Sequence, residues 1–154
     1  MVSLALYQPD QAGNCGTLLR LSACLSLQVH IIHPCGFTFS QSAFKRSAMD
    51  YAEHVSITEH NDFNAFMEST SDKRKILLTT KSKTSYVAFD YRTEDILLLG
   101  RESAGVPEEV HNIVSDKVII PMAAHMRSLN MAVSAAMVLG EALRQTDHYR
   151  NLVL

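Results

Sequence analysis

The sequence predicts an α/β fold, a mostly parallel sheet flanked by helices. Two observations carry that expectation. Runs of strand length alternate along the chain with segments of helical spacing, the order that builds strand–helix–strand units. The runs are also apolar at nearly every position, as in the three leucines at 97–99, so both faces of the sheet should be covered.

The first run, Val2–Tyr7, closes on Gln8-Pro9-Asp10 and reads as a buried strand. Asn14 is placed as the cap of a helix that starts near Gly16 and carries Leu18, Leu19, Leu21, Ala23 and Leu25. Gln28–His33 is the second strand, stopped by Pro34 and Gly36. A short helix over 41–48 and a weak strand over 53–57 follow. Asp62–Glu68 is a helix with Phe63, Phe66 and Met67 on one face. Strands are expected at Lys75–Thr79 and Asp95–Leu99, and Pro107 opens a short helix over Glu108–Val114. Val118–Ile120 is the last strand, ended by Pro121. Ser128 is placed as the cap of the final helix, where Leu129, Ala132, Val133, Ala136, Met137, Gly140 and Leu143 keep helical spacing. Most of this stripe is expected to be core. Gly140 costs a helix about 1 kcal/mol relative to alanine and leaves room for a neighbour, so part of the stripe is assigned to a dimer interface.

The chain has 154 residues, expected to form one domain over 1–154, with 47% hydrophobic and 19% charged residues. These are ordinary values for a soluble globular chain. No apolar run approaches the ~20 residues that span a bilayer. The opening MVSLALYQPD lacks the basic start and apolar length of a signal peptide. A cytoplasmic location without membrane contact is the expectation. The formal charge of −2 excludes a uniformly basic nucleic-acid binder. Any affinity for phosphates must come from local groups such as Lys45 and Arg46, 73–75, Lys81 and Lys83, or Arg127. Each of these taken alone is most simply a solvated face. The three cysteines are odd in number and contain no C-x-x-C, which argues against a zinc ribbon or a disulfide framework and favours a reducing compartment. His30 and His33 fall on opposite faces of an extended segment, so they and Cys35 make no ligand set and no metal is expected.

No G-x-G-x-x-G follows the first strand, and neither a G-x-x-x-x-G-K-[ST] nor a G-x-S-x-G occurs. Common dinucleotide, P-loop and hydrolase chemistries are thereby disfavoured. In sheets of this class ligands sit outside the carboxyl ends of the strands. The segments predicted there are Leu78-Thr79-Thr80, Gly100–Pro107 and Ile120–Asn130. Three polar, small-residue loops stand out: 14–20 (NCGTLLR), 97–107 (LLLGRESAGVP) and 119–137 (IIPMAAHMRSLNMAVSAAM). Singly they are weak signals. Asn14, Glu102 and Ser128 read as caps, and Arg20 as half of an ion pair.

Together, in this order, the three loops resemble the SpoU class of RNA ribose 2′-O-methyltransferases, within the SPOUT superfamily. The likeness runs over essentially the whole chain. It is sharpened by LYQPDQAGNCGTLLRLSA, HIIHPCGF, LTTK and the pairing of IPM with RSLN, which resemble the small subgroup acting on the wobble cytidine or 5-carboxymethylaminomethyluridine of tRNA. The resemblance implies a C-terminal trefoil knot, a homodimer, S-adenosylmethionine as cofactor and the anticodon region of tRNA as partner. It places the cofactor on Leu78, Thr79, Gly100, Glu102, Ile120, Met122, Ser128 and Leu129. It places catalysis on Arg20, Asn14, Ser128 and Asn130, and RNA contacts on Arg20, Lys81, Arg101 and Arg127.

In the family the arginine matching Arg20 takes the hydroxyl proton. A guanidinium normally stays charged, so stabilising the forming alkoxide or clamping the adjacent phosphate is the alternative. The chain departs from the family wording at Arg101 and Ala104, where asparagine and arginine are usual, at Ala132 and Val133, and at Gly140, where close relatives carry an aromatic residue. Methylation of ribosomal RNA, or a catalytically silent RNA-binding module, are the rival readings. The first lacks the extra N-terminal domain common in larger members, and the second sits badly with Asn14, Arg20, Ser128 and Asn130 all being present.

Overall fold

A computed structural model gives the fold and describes residues 1–40 and 55–152. Six strands form one sheet: β1 (Ser3–Tyr7), β2 (Gln28–Ile32), β3 (Ser56–His60), β4 (Lys75–Leu78), β5 (Ile96–Leu99) and β6 (Asp116–Val118). Their order is β3-β2-β1-β5-β4-β6 and every pairing is parallel. Four helices accompany them among the described residues: α1 (Ala12–Cys24), α2 (Phe63–Ser69), α3 (Glu108–Ile113) and α4 (Met131–Gln145).

The apolar runs divide by the period of two that a strand imposes. Leu4, Leu6, Val29, Ile31, Leu97 and Leu99 face α1 and α4, where they meet Leu18, Leu19, Val138 and Leu139. Ala5, Tyr7, Ile32, Leu77, Ile96 and Leu98 point the other way, onto Phe63 and Phe66 of α2 and Val110 and Val114 around α3. The all-buried β1 and β5 are thus apolar on both sides because both sides are roofed.

Several boundaries differ from expectation. The helix over 41–48 and the start of the strand over 53–57 lie outside the described residues, and β3 runs on to His60. α1 begins at Ala12 rather than near Gly16, with Gln11 at its cap position, so Asn14 lies inside the first turn and does not cap. Both Gly13 and Gly16 lie inside the helix, which Leu18 and Leu19 anchor in the core. β6 ends at Val118. Ile119 instead bridges to the segment before a single 3₁₀ turn, accepting from Tyr86 N at 2.9 Å. α4 is capped by Asn130, not Ser128, through Oδ1 accepting from Ala132 N at 2.9 Å and Val133 N at 3.3 Å. The buried face of α4 is Ala132, Ala135, Val138, Leu139, Ala142 and Leu143, whereas Val133 and Met137 are exposed.

One buried polar pair gives the fold a pH dependence. His30 on β2 and His60 on β3 meet at 2.9 Å (Nδ1 to Nε2), with Ser69 Oγ 3.3 Å from His60 Nδ1 and Phe66 against both rings. Burial, then His60, Lys73 and Lys75, pull His30 from 6.5 down to about 4. Burial lowers His60 as well. The unfolded chain therefore binds the extra proton between those values. Stability is expected to be intact above about pH 6.5 and to fall by roughly 3 kcal/mol as the pH drops to 4. Denaturation midpoints at pH 7 and 4.5 check this, with His30→Asn narrowing the gap between them. An unchanged gap would assign the acid loss to other groups.

Candidate cofactor and RNA site

The register brings three strand ends to one height. Leu78 pairs with Leu99 and with Val118, so the backbone leaving β4, β5 and β6 emerges side by side. β1 joins them, Leu6 facing Leu99, and sends the chain into α1 at the same edge. A parallel sheet opens its ligand crevice at this edge, where connections on either side diverge. A cavity of about 460 Å³ occupies the crevice, within the range of small-molecule sites.

All eight residues expected to hold the cofactor line this cavity: Leu78, Thr79, Gly100, Glu102, Ile120, Met122, Ser128 and Leu129. So do Asn14 and Asn130 of the expected catalytic set, and Arg101 and Arg127 of the expected RNA contacts. Arg20 and Lys81 are not on its wall. Lys81 is exposed in the loop just beyond Thr79 and Thr80. Arg20 is exposed on α1, six residues and so about 9 Å of helix from Asn14.

The loops are tied together by side chains. Asn130 Nδ2 donates to Asn14 Oδ1 at 3.0 Å, and Asn14 Nδ2 donates to Glu102 Oε1 at 3.2 Å. The other oxygen of Glu102 accepts from Asp10 N at 3.0 Å. Asp10 Oδ2 accepts from Ser103 N at 3.3 Å and also from Ser103 Oγ. Asn14 is thus a strut between two loops. The two carboxyl groups also shift each other's titration. The hydrogen bond from Glu102, then that from Ser103, holds Asp10 down at about 2, while burial and then Asp10 push Glu102 up. The opposite directions ease the approach of two acids that would otherwise repel each other.

Gly100 and Gly105 close the second loop. Arg101 N donates to Gly105 O and Gly105 N to Arg101 O, both at 2.9 Å. A Cβ on Gly100 would lie 2.5 Å from the carbonyl carbon of Gly105, and Gly105 itself has φ of +65°, a conformation glycine adopts without strain. Arg101 reaches over the Tyr7 ring, 5.9 Å from its centre. Its Nε is buried with no hydrogen-bond partner among the described residues, which suits it to an anionic group of a ligand. Of the other departures, Val133 is exposed, and the Tyr149 hydroxyl lies 3.8 Å from the place of a Gly140 Cβ, so an aromatic from elsewhere fills that space.

The residues fit S-adenosylmethionine. Leu78, Leu99 and Ile120 give apolar walls, Thr79, Ser128 and Asn130 give hydrogen-bonding groups, and the glycine turn lets backbone approach. Sequence reasoning missed Asp10, Gln11 and Ser103. Asp10 meets Ser103 across 93 positions, and no local pattern signals such a contact. Among the described residues no group of His, Cys, Asp or Glu side chains could hold a metal, and no helix is long and apolar enough to cross a membrane.

Residues 1–140 match the model of the SpoU rRNA Methylase family. A protein of Beijerinckia indica subsp. indica named tRNA (cytidine(34)-2′-O)-methyltransferase is 54% identical over 144 residues, 92% of this chain and 90% of that protein. A solved structure described as "Structural insights into the 2-OH methylation of C/U34 on tRNA" superposes with a TM-score of 0.86 at 38% identity, covering 94% of this chain and 95% of that one. An AdoMet-bound rRNA methyltransferase from Sinorhizobium meliloti shares the fold, with a TM-score of 0.81 at 24% identity, over 93% of this chain and 56% of that one.

Proposed function

This chain belongs to the SpoU rRNA Methylase family, and on that premise we propose that it methylates the ribose 2′-hydroxyl of nucleotide 34 of tRNA, the position named for its 54%-identical relative. The observation that carries the reading is the convergence of the three loops on one cavity lined by all eight expected cofactor residues.

S-adenosylmethionine, when bound, supplies an electrophilic methyl group, so the protein's share is orientation and handling of the hydroxyl proton. Gly100, Thr79 and Ile120 present strand-end backbone to the cofactor, and Leu78, Met122 and Leu129 close around its apolar parts. Asn130 and Ser128 hold the ribose. Asn14, fixed between Glu102 and Asn130, keeps that group in place. Arg20 is outside the cavity wall and exposed, a position from which it meets RNA rather than cofactor. There its charge stabilises the alkoxide as it forms or clamps the neighbouring phosphate. Arg101 and Arg127 on the cavity wall and the exposed Lys81 act as phosphate contacts, and a 2′-hydroxyl nucleophile restricts the reaction to RNA.

Two copies of the chain pair through the exposed apolar residues Met126, Leu129, Val133 and Met137, of which Leu129 also lines the cavity. Pairing also gathers two sets of basic residues on a chain whose own charge is −2. The C-terminal trefoil knot and a cytoplasmic location belong to the same reading.

Nucleoside mass spectrometry of tRNA from a strain lacking the protein tests the function. The 2′-O-methyl mark at position 34 should disappear and return with the gene. Persistence of the mark would refute the substrate, and absence of S-adenosylmethionine binding in calorimetry would refute the enzyme.

A further inference from the structure

At the carboxyl ends of β2 and β3, beside the cavity but not on its wall, three side chains stand in line. Cys35 Sγ lies 3.7 Å from His33 Nδ1, and His33 Nε2 lies 2.8 Å from Glu59 Oε2. Glu59 can only accept, so it fixes the proton on Nε2 and leaves the Nδ1 lone pair facing the thiol. This is the nucleophile–base–orienter order of an assisted thiol. Among the described residues no group of three such side chains is placed to hold a metal. Cys24, exposed, and Cys15, buried, have no imidazole within hydrogen-bond distance among the described contacts.

We propose that Cys35 is a thiol-modification site, with His33 as its base and Glu59 as the group that positions His33, and that its occupant loosens the cofactor cavity. The co-reactant is a low-molecular-weight disulfide of the glutathione class. The Cys35 proton passes to His33 Nδ1, Sγ attacks one sulfur of the disulfide, a new S–S bond forms and the old one breaks. The departing thiolate takes the proton from His33 and leaves as a thiol. No other oxidant is needed, and a reducing thiol reverses the step. At rest the group is a neutral thiol, since burial, then Glu59, push it up to about 11. The site therefore depends on its base, where an ordinary exposed thiol depends on solution pH.

The coupling to the cavity is short. Gly36, next to Cys35, donates its N–H to Pro9 O at 2.9 Å, and its Cα is so close to Asp10 that a Cβ there would lie 2.8 Å from Asp10 Cα. Asp10 holds Ser103 and Glu102, and Glu102 holds Asn14. Cys35 is half-buried against the core beside Phe37 and Phe39, so a tripeptide-sized adduct has to displace 35–36 from Pro9 and Asp10. This second part of the proposal rests on the cavity being the S-adenosylmethionine site.

The test incubates the full-length protein with glutathione disulfide, follows each cysteine by peptide mass spectrometry, and measures S-adenosylmethionine affinity by calorimetry before, after and on reversal with dithiothreitol. Cys35 should acquire the adduct, and His33→Asn and Glu59→Gln should each slow that by at least about tenfold without changing the rate at Cys24. The adduct should weaken cofactor binding at least about tenfold, dithiothreitol should restore it, and Cys35→Ser should bind cofactor normally and ignore the disulfide. Equal rates at Cys35 with and without His33, or an adduct that leaves affinity unchanged, overturn the proposal. If the unmodified protein binds no cofactor, the failure lies with the cavity's assignment, and the rates at Cys35 still decide the thiol chemistry.

Discussion

Arg20→Ala is expected to lower methyl transfer to unmodified tRNA by about 10²–10³-fold, the usual loss when one preorganised charge is removed from a developing oxyanion. Affinity for S-adenosylmethionine should stay within about twofold, because Arg20 is not on the cavity wall. Single-turnover transfer of a labelled methyl group, with calorimetry alongside, separates the two quantities. Arg20→Lys distinguishes the roles left open for the guanidinium. Lysine keeps a point charge near a phosphate but loses the planar fork, so partial rescue indicates a phosphate clamp. Transfer by Arg20→Ala within about threefold of the parent would remove Arg20 from the mechanism.

Gly100→Ala should have the largest structural effect of any glycine-to-alanine change in the chain. The new Cβ meets three backbone atoms of Gly105, at 2.5, 2.7 and 2.9 Å. Backbone cannot swing aside as a side chain can, so the paired bonds between Arg101 and Gly105 must break. A loss of more than about 2 kcal/mol of stability is expected, together with loss of measurable cofactor binding. Gly13→Ala is the matched control, since nothing lies within 4 Å of its Cβ in α1. Alanine there should leave binding intact and add roughly 0.5–1 kcal/mol through helix propensity. Thermal melts with and without cofactor report both. Equal behaviour of the two variants would show that the close approach at Gly100 is not required.

The residues that gather at the cavity were more legible in the sequence than the bounds of the elements around it. Strand ends in a parallel sheet are marked by abrupt changes of composition, as at Leu99-Gly100, and ligands gather at those ends whatever the ligand is. Boundaries were less legible where one residue type serves two purposes. Val118-Ile119-Ile120 reads as a strand because all three are apolar, yet only Val118 pairs in the sheet and Ile120 faces the cavity. Ser128 and Asn130 are both good caps by chemistry, and only the backbone path chose Asn130. Asn14 looked like a cap for the same reason. Besides Gln11 nearby, its partners lie 88 and 116 positions away, beyond the reach of any local rule.

Those separations bear on when the protein becomes competent. Each bond in the tie from Ser103 to Asn130 closes a loop of most of the chain's length, and such contacts form late, after entropy has been lost elsewhere. The cavity is therefore expected to be the last part of the molecule to assemble and the first to open. A chain with any strand out of register has nowhere to hold its cofactor, so occupancy of the cavity serves as a certificate of complete folding. The cofactor in turn stabilises only the finished form.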